Sequence, residues 1–425
     1  MRTLSKIKYS VMIALWLCST QVNALELMKK DDASFNLGGR FQLFGVAERV
    51  NDPYKENNRL FLFLKQARIM ASGTIEDYRF YTEWAMGGEE AVKNLNSSVS
   101  LLDFRADIPA SDAVFLRLGQ FKAPFGREAL TEDGSLNFSD RSINNLVGIL
   151  GRDVGFAGVL QQKGFMGTLG VFTGGGRDNP ERYLPEQLGA PMLVARFGYD
   201  SQGQDPYLYK SSGAFGVTDD AFSAFLNLAY MEDSKVGHSS VLNVKTTDRS
   251  LLLNPNWNPY LAVAPFARSH VFQASADIQK RFLIGNVNTT GEIECTHGEF
   301  SNDYGKLQLN GARLQATAAL NPFEVAARYS VIYPSDAFQY GGKSLTGVDP
   351  FQEISTSLTF FHRPWSRFTF EAVFHLNTPV AIEPNVGAYV LVEQQDQVTV
   401  VKAPTNGYIE RQFVPEAKLL YQLTF

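Results

Sequence analysis

Cysteine is almost missing from this chain: Cys18 and Cys295 are the two in 425 residues. Cys18 falls inside an expected leader, so Cys295 alone would remain, and no intramolecular disulfide is available to hold an exported fold together. Long apolar runs are missing too. Beyond the first residues no segment offers the roughly 18 consecutive apolar residues that read as a membrane-spanning helix. If the chain crosses a membrane, it does so with strands. Histidine is scarce, five in all, and none accompanies a recognisable nucleophile motif. A basic excess is also absent: 39 Lys and Arg face 44 Asp and Glu, a formal net charge of -5, which argues against nucleic acid as a partner. Mean hydropathy is close to zero at -0.14. That value suits a soluble protein, and equally a barrel whose strands alternate lipid-facing and water-facing residues.

What is present begins with a leader. Arg2, Lys6 and Lys8 make a basic start, Val11 to Cys18 an apolar core, and Val22-Asn23-Ala24 a small-residue cleavage site. Residues 1–24 are therefore expected to be removed, leaving 25–425 as the exported chain. Leu17 stands where a lipoprotein would carry a small residue before its acylated cysteine, so lipidation at Cys18 is not expected.

Alternation at period two dominates the remainder, most clearly in the second half. Phe368, Phe370, Ala372, Phe374 and Leu376 alternate with Arg367, Thr369, Glu371 and His375. Phe323, Val325, Ala327, Tyr329, Val331 and Tyr333 alternate with Glu324, Arg328 and Ser330. The stretches around Ala312–Leu320, Ile354–Phe360 and Phe272–Ile278 repeat the pattern. Each run is about ten residues, the length a tilted strand needs to cross a bilayer. The last run places Phe413, Ala417, Leu419, Tyr421, Leu423 and Phe425 opposite Glu416, Lys418, Gln422 and Thr424. Taken alone it fits a soluble sheet equally well. Its ending resembles the closing strand of bacterial outer-membrane barrels, where Tyr421, Leu423 and Phe425 would act as the assembly signal.

Connection lengths alternate as well. Tight turns at Asn321-Pro322 and near Arg363-Pro364 are interleaved with long polar stretches at 334–350 and 377–410. Short turns at one end and long loops at the other mark an outer-membrane barrel. The expected fold is all-β: one transmembrane antiparallel barrel of about 16 strands, counted from about residue 35, with both termini at the short-turn end. Residues 200–220 and 232–268 lack clear alternation.

Catalytic and cofactor signals are poor. Gly341-Gly342-Lys343-Ser344 ends like a phosphate-binding loop, but Ala337 replaces its first glycine and the setting between strands suits a turn. Gly174-Gly175-Gly176 has no helix pattern after it and reads as a loop. Cys295, His297 and Glu299 share a strand face, yet three in-line residues cannot easily wrap one ion. No catalytic residue, cofactor or metal is expected. One region stands out: after the strand ending near Lys122, residues 123–151 lose strand alternation yet carry Phe125, Leu130, Leu136, Phe138, Ile143, Leu146, Val147, Ile149 and Leu150. A loop that long and that apolar folds against something. In a wide barrel the available surface is the inner wall.

LGGRFQ at 37–42, KQARIMASG at 65–73, RLGQFKAPFGREAL at 117–130, DRS at 140–142, GRDVG at 151–155 and the final Phe425 together resemble the phosphate-selective porin O and P family of Gram-negative outer membranes. The resemblance implies a sixteen-stranded barrel, usually a homotrimer, whose third extracellular loop folds inward. It implies that basic side chains line the constriction: here Arg40, Lys65 and Arg141, with Arg68, Lys122 and Arg127 as further candidates for contact with anions. Lys65-Gln66 departs from the paired arginines of phosphate-specific members and loses a fork that can bind an oxyanion in two places. From Lys122 to Asp153 four cations stand beside five anions, a mixed field. In the bland alternative, Arg127 with Glu128 and Asp140 with Arg141 pair only to hold the loop.

The expected function is passive diffusion of small hydrophilic solutes through the outer membrane, with lipid as its surroundings and an anion or phosphate preference as one option. A channel specific for a non-phosphate solute, a barrel enzyme of lipase or protease type, and a soluble all-β binding protein are the alternatives. The enzyme needs a nucleophile and base that are not recognisable here, and the soluble protein would not require detergent.

Overall fold

The computed structural model describes residues 25–30, 32–51, 57–88, 99–148, 150–174, 191–202, 220–235, 268–302, 305–334, 339–340, 343–344, 350–382, 390–394, 397–401 and 408–425. The expected leader, residues 1–24, lies outside them, as do most of 200–220 and 232–268. Among the described residues no helix is long and apolar enough to cross a membrane.

Strands carry the fold. The first are β1 (Leu25–Lys30), β2 (Ala33–Arg49), β3 (Asn58–Ile75), β4 (Tyr78–Gly88), β5 (Ser100–Ser111) and β6 (Val114–Lys122). Then follow β7 (Arg152–Gln162), β8 (Phe165–Phe172), β9 (Met192–Asp200), β10 (Ala221–Lys235), β11 (Arg268–Ile284) and β12 (Val287–Asn302). The last third holds β13 (Gly305–Leu320), β14 (Phe323–Pro334), the short β15 (Gln339–Tyr340) and β16 (Lys343–Ser344), β17 (Phe351–Arg363) and β18 (Ser366–Ile382). It ends with β19 (Val390–Gln394), β20 (Gln397–Val401) and β21 (Tyr408–Thr424).

Consecutive long strands pair antiparallel, and β21 closes the sheet on β2 from Arg40 opposite Thr424 to Glu48 opposite Glu416. The result is the expected closed barrel of sixteen strands, plus one. The extra strand is β1, which pairs with β2 from Leu25 opposite Leu37 to Lys30 opposite Ala33, beyond the point where β21 ends. Its six residues end in Lys29-Lys30 and are too short to display alternation. That is why counting from about residue 35 omits it.

Closure converts alternation into two faces. Leu314 and Phe370 are 55% and 53% exposed, pointing outward, whereas their neighbours Arg313, Gln315, Thr369 and Glu371 are buried. In β21 Phe413 and Leu419 are exposed while Glu416, Lys418 and Gln422 are buried, the same division. An apolar outside and a polar inside fit lipid without and water within. The Phe425 backbone exchanges hydrogen bonds with Gly39 at 2.6 and 2.9 Å. Its ring packs over Gly39, where a side chain would collide.

Turn lengths follow the expected asymmetry with two departures. Short links join β3 to β4, β5 to β6, β7 to β8, β11 to β12, β13 to β14 and β17 to β18 at one end. At that same end β9 and β10 are separated by residues 201–220, and at the long-loop end β12 and β13 are joined across only 303–304. The stretch expected as a loop over 377–410 is in part strand. Alternation breaks at Asn377, whose φ of 56° accompanies a register shift between His375 and Thr378, and β18 then resumes to Ile382. The pair β19–β20 forms a hairpin within it, and Lys343–Ser344 pairs with Gln339–Tyr340 as a hairpin strand, not a phosphate loop.

Candidate functional site: a charged segment bound to the inner wall

Between β6 and β7 the chain leaves the sheet. Gly126, at φ 73°, turns it into the four-residue helix α1 (Arg127–Leu130), a conformation glycine adopts without steric cost. A 3-10 turn at Asp133–Ser135 and a second short helix, α2 (Asn145–Gly148), follow. None of these elements bonds into the sheet ladder, so the segment's polar groups need other partners.

The inner face supplies them. Glu294 on β12 accepts the Arg127 backbone N–H at 2.8 Å, and Asp277 on β11 accepts its Nε at 2.9 Å. Asn137 donates to Glu324 on β14 at 2.9 Å and accepts from Gln315 on β13 at 2.9 Å. The Ser139 N–H donates to Glu371 on β18 at 2.9 Å, and Arg367 donates to the Leu136 carbonyl at 2.8 Å. The Ile143 and Asn144 N–H groups donate to Glu353 and Ser330 at 3.2 and 3.0 Å. Gln422 on β21 donates to the Gly134 carbonyl at 3.0 Å. From β10 round to β3, side chains of the inner wall hold this segment.

The six basic residues singled out in the sequence all reach it. Arg40 pairs with Glu132, while its Nε and Nη1 have no hydrogen-bond partner among the described residues. Lys65 donates to the Ser139 carbonyl at 2.7 Å and pairs with Asp140 at 3.2 Å. Arg68 spans Asp133 at 2.7 Å and Glu83 at 2.8 Å. Lys122 donates to the carbonyls of Ala129 and Thr131 at 2.9 and 3.4 Å. Arg127 lies between Asp277 and Ser223, and Arg141 binds Asp133 at 2.5 Å and the Glu128 carbonyl at 3.0 Å. The local pairs Arg127–Glu128 and Asp140–Arg141 are not how the guanidiniums are used. Glu128 instead faces Arg328 at 3.4 Å and Arg313 at 3.8 Å, and Asp140 faces Lys65.

Lys65 and Gln66 both point inward because the β2–β3 register shifts between Gln42 and Leu43, leaving Lys65 as the extra residue of a bulge. Strict period two would have sent one of them outward. The segment's carboxylates respond to their surroundings. Burial raises the Asp133 carboxyl, but Arg141, Arg68, Lys122 and Arg40 outweigh it and hold the group well below its ordinary value. Burial likewise raises Asp140, and Lys65 and Lys418 bring it below its ordinary value.

Arg313, Arg328 and Arg367 are not among those six, although each stands at an inward strand position, the first two in mid-strand. Arg328 binds Glu353 at 2.8 Å, Glu371 at 3.5 Å and the Asp140 carbonyl at 3.0 Å, and lies over the Phe138 ring. A guanidinium at a wet-face position in mid-strand was the available signal. Tyr421 stacks on Phe368 with ring centroids 4.6 Å apart, on the outer face. Cys295 is exposed, and no cluster of His, Cys, Asp or Glu able to hold a metal occurs among the described residues.

A closed sixteen-stranded antiparallel sheet, apolar outside and charged within, is the architecture of an outer-membrane β-barrel. The model of the family described as phosphate-selective porin O and P matches residues 35–215, the family that the sequence motifs resemble. Among solved structures, the chain is similar to an anion-selective porin from Comamonas acidovorans, with 10% identity, a TM-score of 0.53, and coverage of 93% of this chain and 100% of that one. It is similar to the outer membrane channel DcaP of Acinetobacter baumannii, with 10% identity, a TM-score of 0.53, and coverage of 95% and 100%. It is also similar to the trimer form of OmpT from Vibrio cholerae, with 10% identity, a TM-score of 0.50, and coverage of 93% and 100%. These likenesses are of fold. No curated protein matches the sequence.

Proposed function

We propose that this porin admits small hydrophilic solutes by passive diffusion, without chemistry, that residues 123–151 narrow its lumen, and that it favours anions modestly. One observation carries the reading: the segment that leaves the sheet after Lys122 is bonded to inward side chains from β10 round to β3. A peptide held across a barrel takes up lumen and sets its narrowest, least hydrated point, where charged side chains select ions. Arg40, Lys65, Arg68, Lys122, Arg127 and Arg141 hold or belong to the segment that sets that point. We further infer export with cleavage after Ala24 and assembly as a homotrimer, in line with the trimeric neighbour. Single-channel recording in planar bilayers tests the proposal. Shortening the segment between Thr131 and Arg141 should raise conductance and weaken selectivity; unchanged conductance would refute a constriction.

A further inference from the structure

The wall that the segment leaves uncovered differs from the wall that holds it. The bonds described above lead to strands from β10 round to β3 and, through Lys122, to β6; β4 and β5 are not among them. The inward charges of β4 to β7 fall into two groups. Glu83, Asp103, Asp107, Asp153 and Arg117 are buried, whereas Arg79, Arg105, Lys122 and Arg152 are partly exposed. From the segment, Glu132 and Arg141 face water here, their side chains 36% and 20% exposed. Arg40, Lys65, Arg68 and Arg127, by contrast, are all buried.

The register arranges these cations in steps. Arg152 lies opposite Lys122 near the long-loop end, with its Nε on Asp103 at 2.7 Å. Two residues further along β5, Arg105 lies opposite Tyr81 on one side and Gly119 on the other, with its guanidinium over the Tyr81 ring at 5.0 Å. Gly119, at φ 128°, has no side chain to cover it. Two residues beyond, Asp107 is held by Arg117 at 2.6 Å, and Arg79 stands 3.6 Å from it.

We propose that solutes pass along the β4–β5 wall and that Arg105, presented on Tyr81, is a specificity-determining residue for anions, while the cations buried under the segment serve to hold it. This rests on the porin reading above. A charge acts on a passing ion through water or a water-poor gap, so a partly exposed guanidinium beside the path counts for more than one buried under the segment.

Reversal potentials across a salt gradient, measured on the full chain in planar bilayers, test the division. Arg105→Glu should move the reversal potential toward cations with conductance near native, and Arg105→Lys should stay near native in both. Arg68→Gln and Arg127→Gln should change conductance first, because they release the segment. Arg105→Cys in a Cys295→Ser background should react with a charged, membrane-impermeant thiol reagent and shift the reversal potential on reaction. That arm needs no charge reversal to fold. An unreactive Arg105→Cys, or native selectivity in Arg105→Glu while Arg68→Gln shifts it at constant conductance, would overturn the proposal. A native protein that passes no current would instead overturn the porin reading itself.

Discussion

The inner wall offers the segment two different surfaces. From β11 round to β3 it is polar, and the segment binds it through ion pairs and hydrogen bonds such as Arg328 to Glu128 and Lys65 to Asp140. From β7 to β10 it also offers apolar groups: Ala157, Val159, Met166, Phe172, Met192, Val194, Phe225 and Met231 are buried, beside Thr168, Arg196 and Asn227, in one cluster with Phe125, Leu130, Ile143 and Val147 of the segment, and that cluster runs on to Val271, Leu309 and Ile332. Apolar burial supplies non-directional stabilisation and tolerates small shifts. Buried ion pairs contribute less net stability for their number, but each is costly to leave half-made. The apolar wall therefore holds the segment in place, and the polar wall fixes its register.

The largest expected effect tests the polar side. Arg328→Met would leave Glu128, Glu353 and Glu371 facing one another with a partner removed, a change that costs about 3 to 5 kcal/mol in buried settings. Thermal unfolding in detergent should show a lowered transition, and bilayer recording a larger, noisier conductance. Adding Glu353→Gln should recover part of both. No recovery would mean that Arg328 acts by packing on Phe138 alone.

A smaller effect is expected on the apolar side. Leu130→Ala removes a fully buried side chain from the cluster at a cost of about 2 to 4 kcal/mol. Because no charge changes, the reversal potential should stay native while the unfolding transition falls. A shift in selectivity would show that the two walls do not act separately.

The two walls also differ in how much of them could be read from the sequence. Around β13, β14, β17 and β18, inward Arg313, Glu324, Arg328, Glu353 and Glu371 alternate with outward apolar residues, and the strands are plain. Around β7 to β9 inward Val159 and Val194 neighbour outward Leu160 and Leu193, so both faces are apolar and period two carries no contrast. The basic residues of the segment and of its anchors were legible as types. Their partners were not, because Arg127 meets Asp277 across 150 positions of chain and Lys65 turns inward only through a bulge. Arg105, in a run with outward Phe104 and inward Asp103, offered no local mark of its exposure.

The smallest effect at neutral pH, and the sharpest separation of the two walls, comes from acid. Asp133 and Asp140 have carboxyls held below their ordinary range, burial opposing and Arg141, Arg68 and Lys65 prevailing. For a group depressed by folding, the stabilisation is complete above its unfolded pKa, about 4 for aspartate, and is lost as pH falls through the folded value. The part of the hold that Asp133 and Asp140 supply should therefore be constant from neutral pH to about 4 and weaken only below it. The apolar wall has no such groups among its clustered residues, so the segment should loosen at one side and stay docked at the other. Conductance recorded stepwise from neutral to acid pH should stay level and then rise below the carboxylate range. In Leu130→Ala the same acid step should free the segment further, because both holds are then weakened. An acid response identical in the native chain and in an Asp133→Asn, Asp140→Asn variant would mean that these two aspartates do not carry the hold. An acid response identical in Leu130→Ala and the native chain would mean that the apolar wall does not hold the segment.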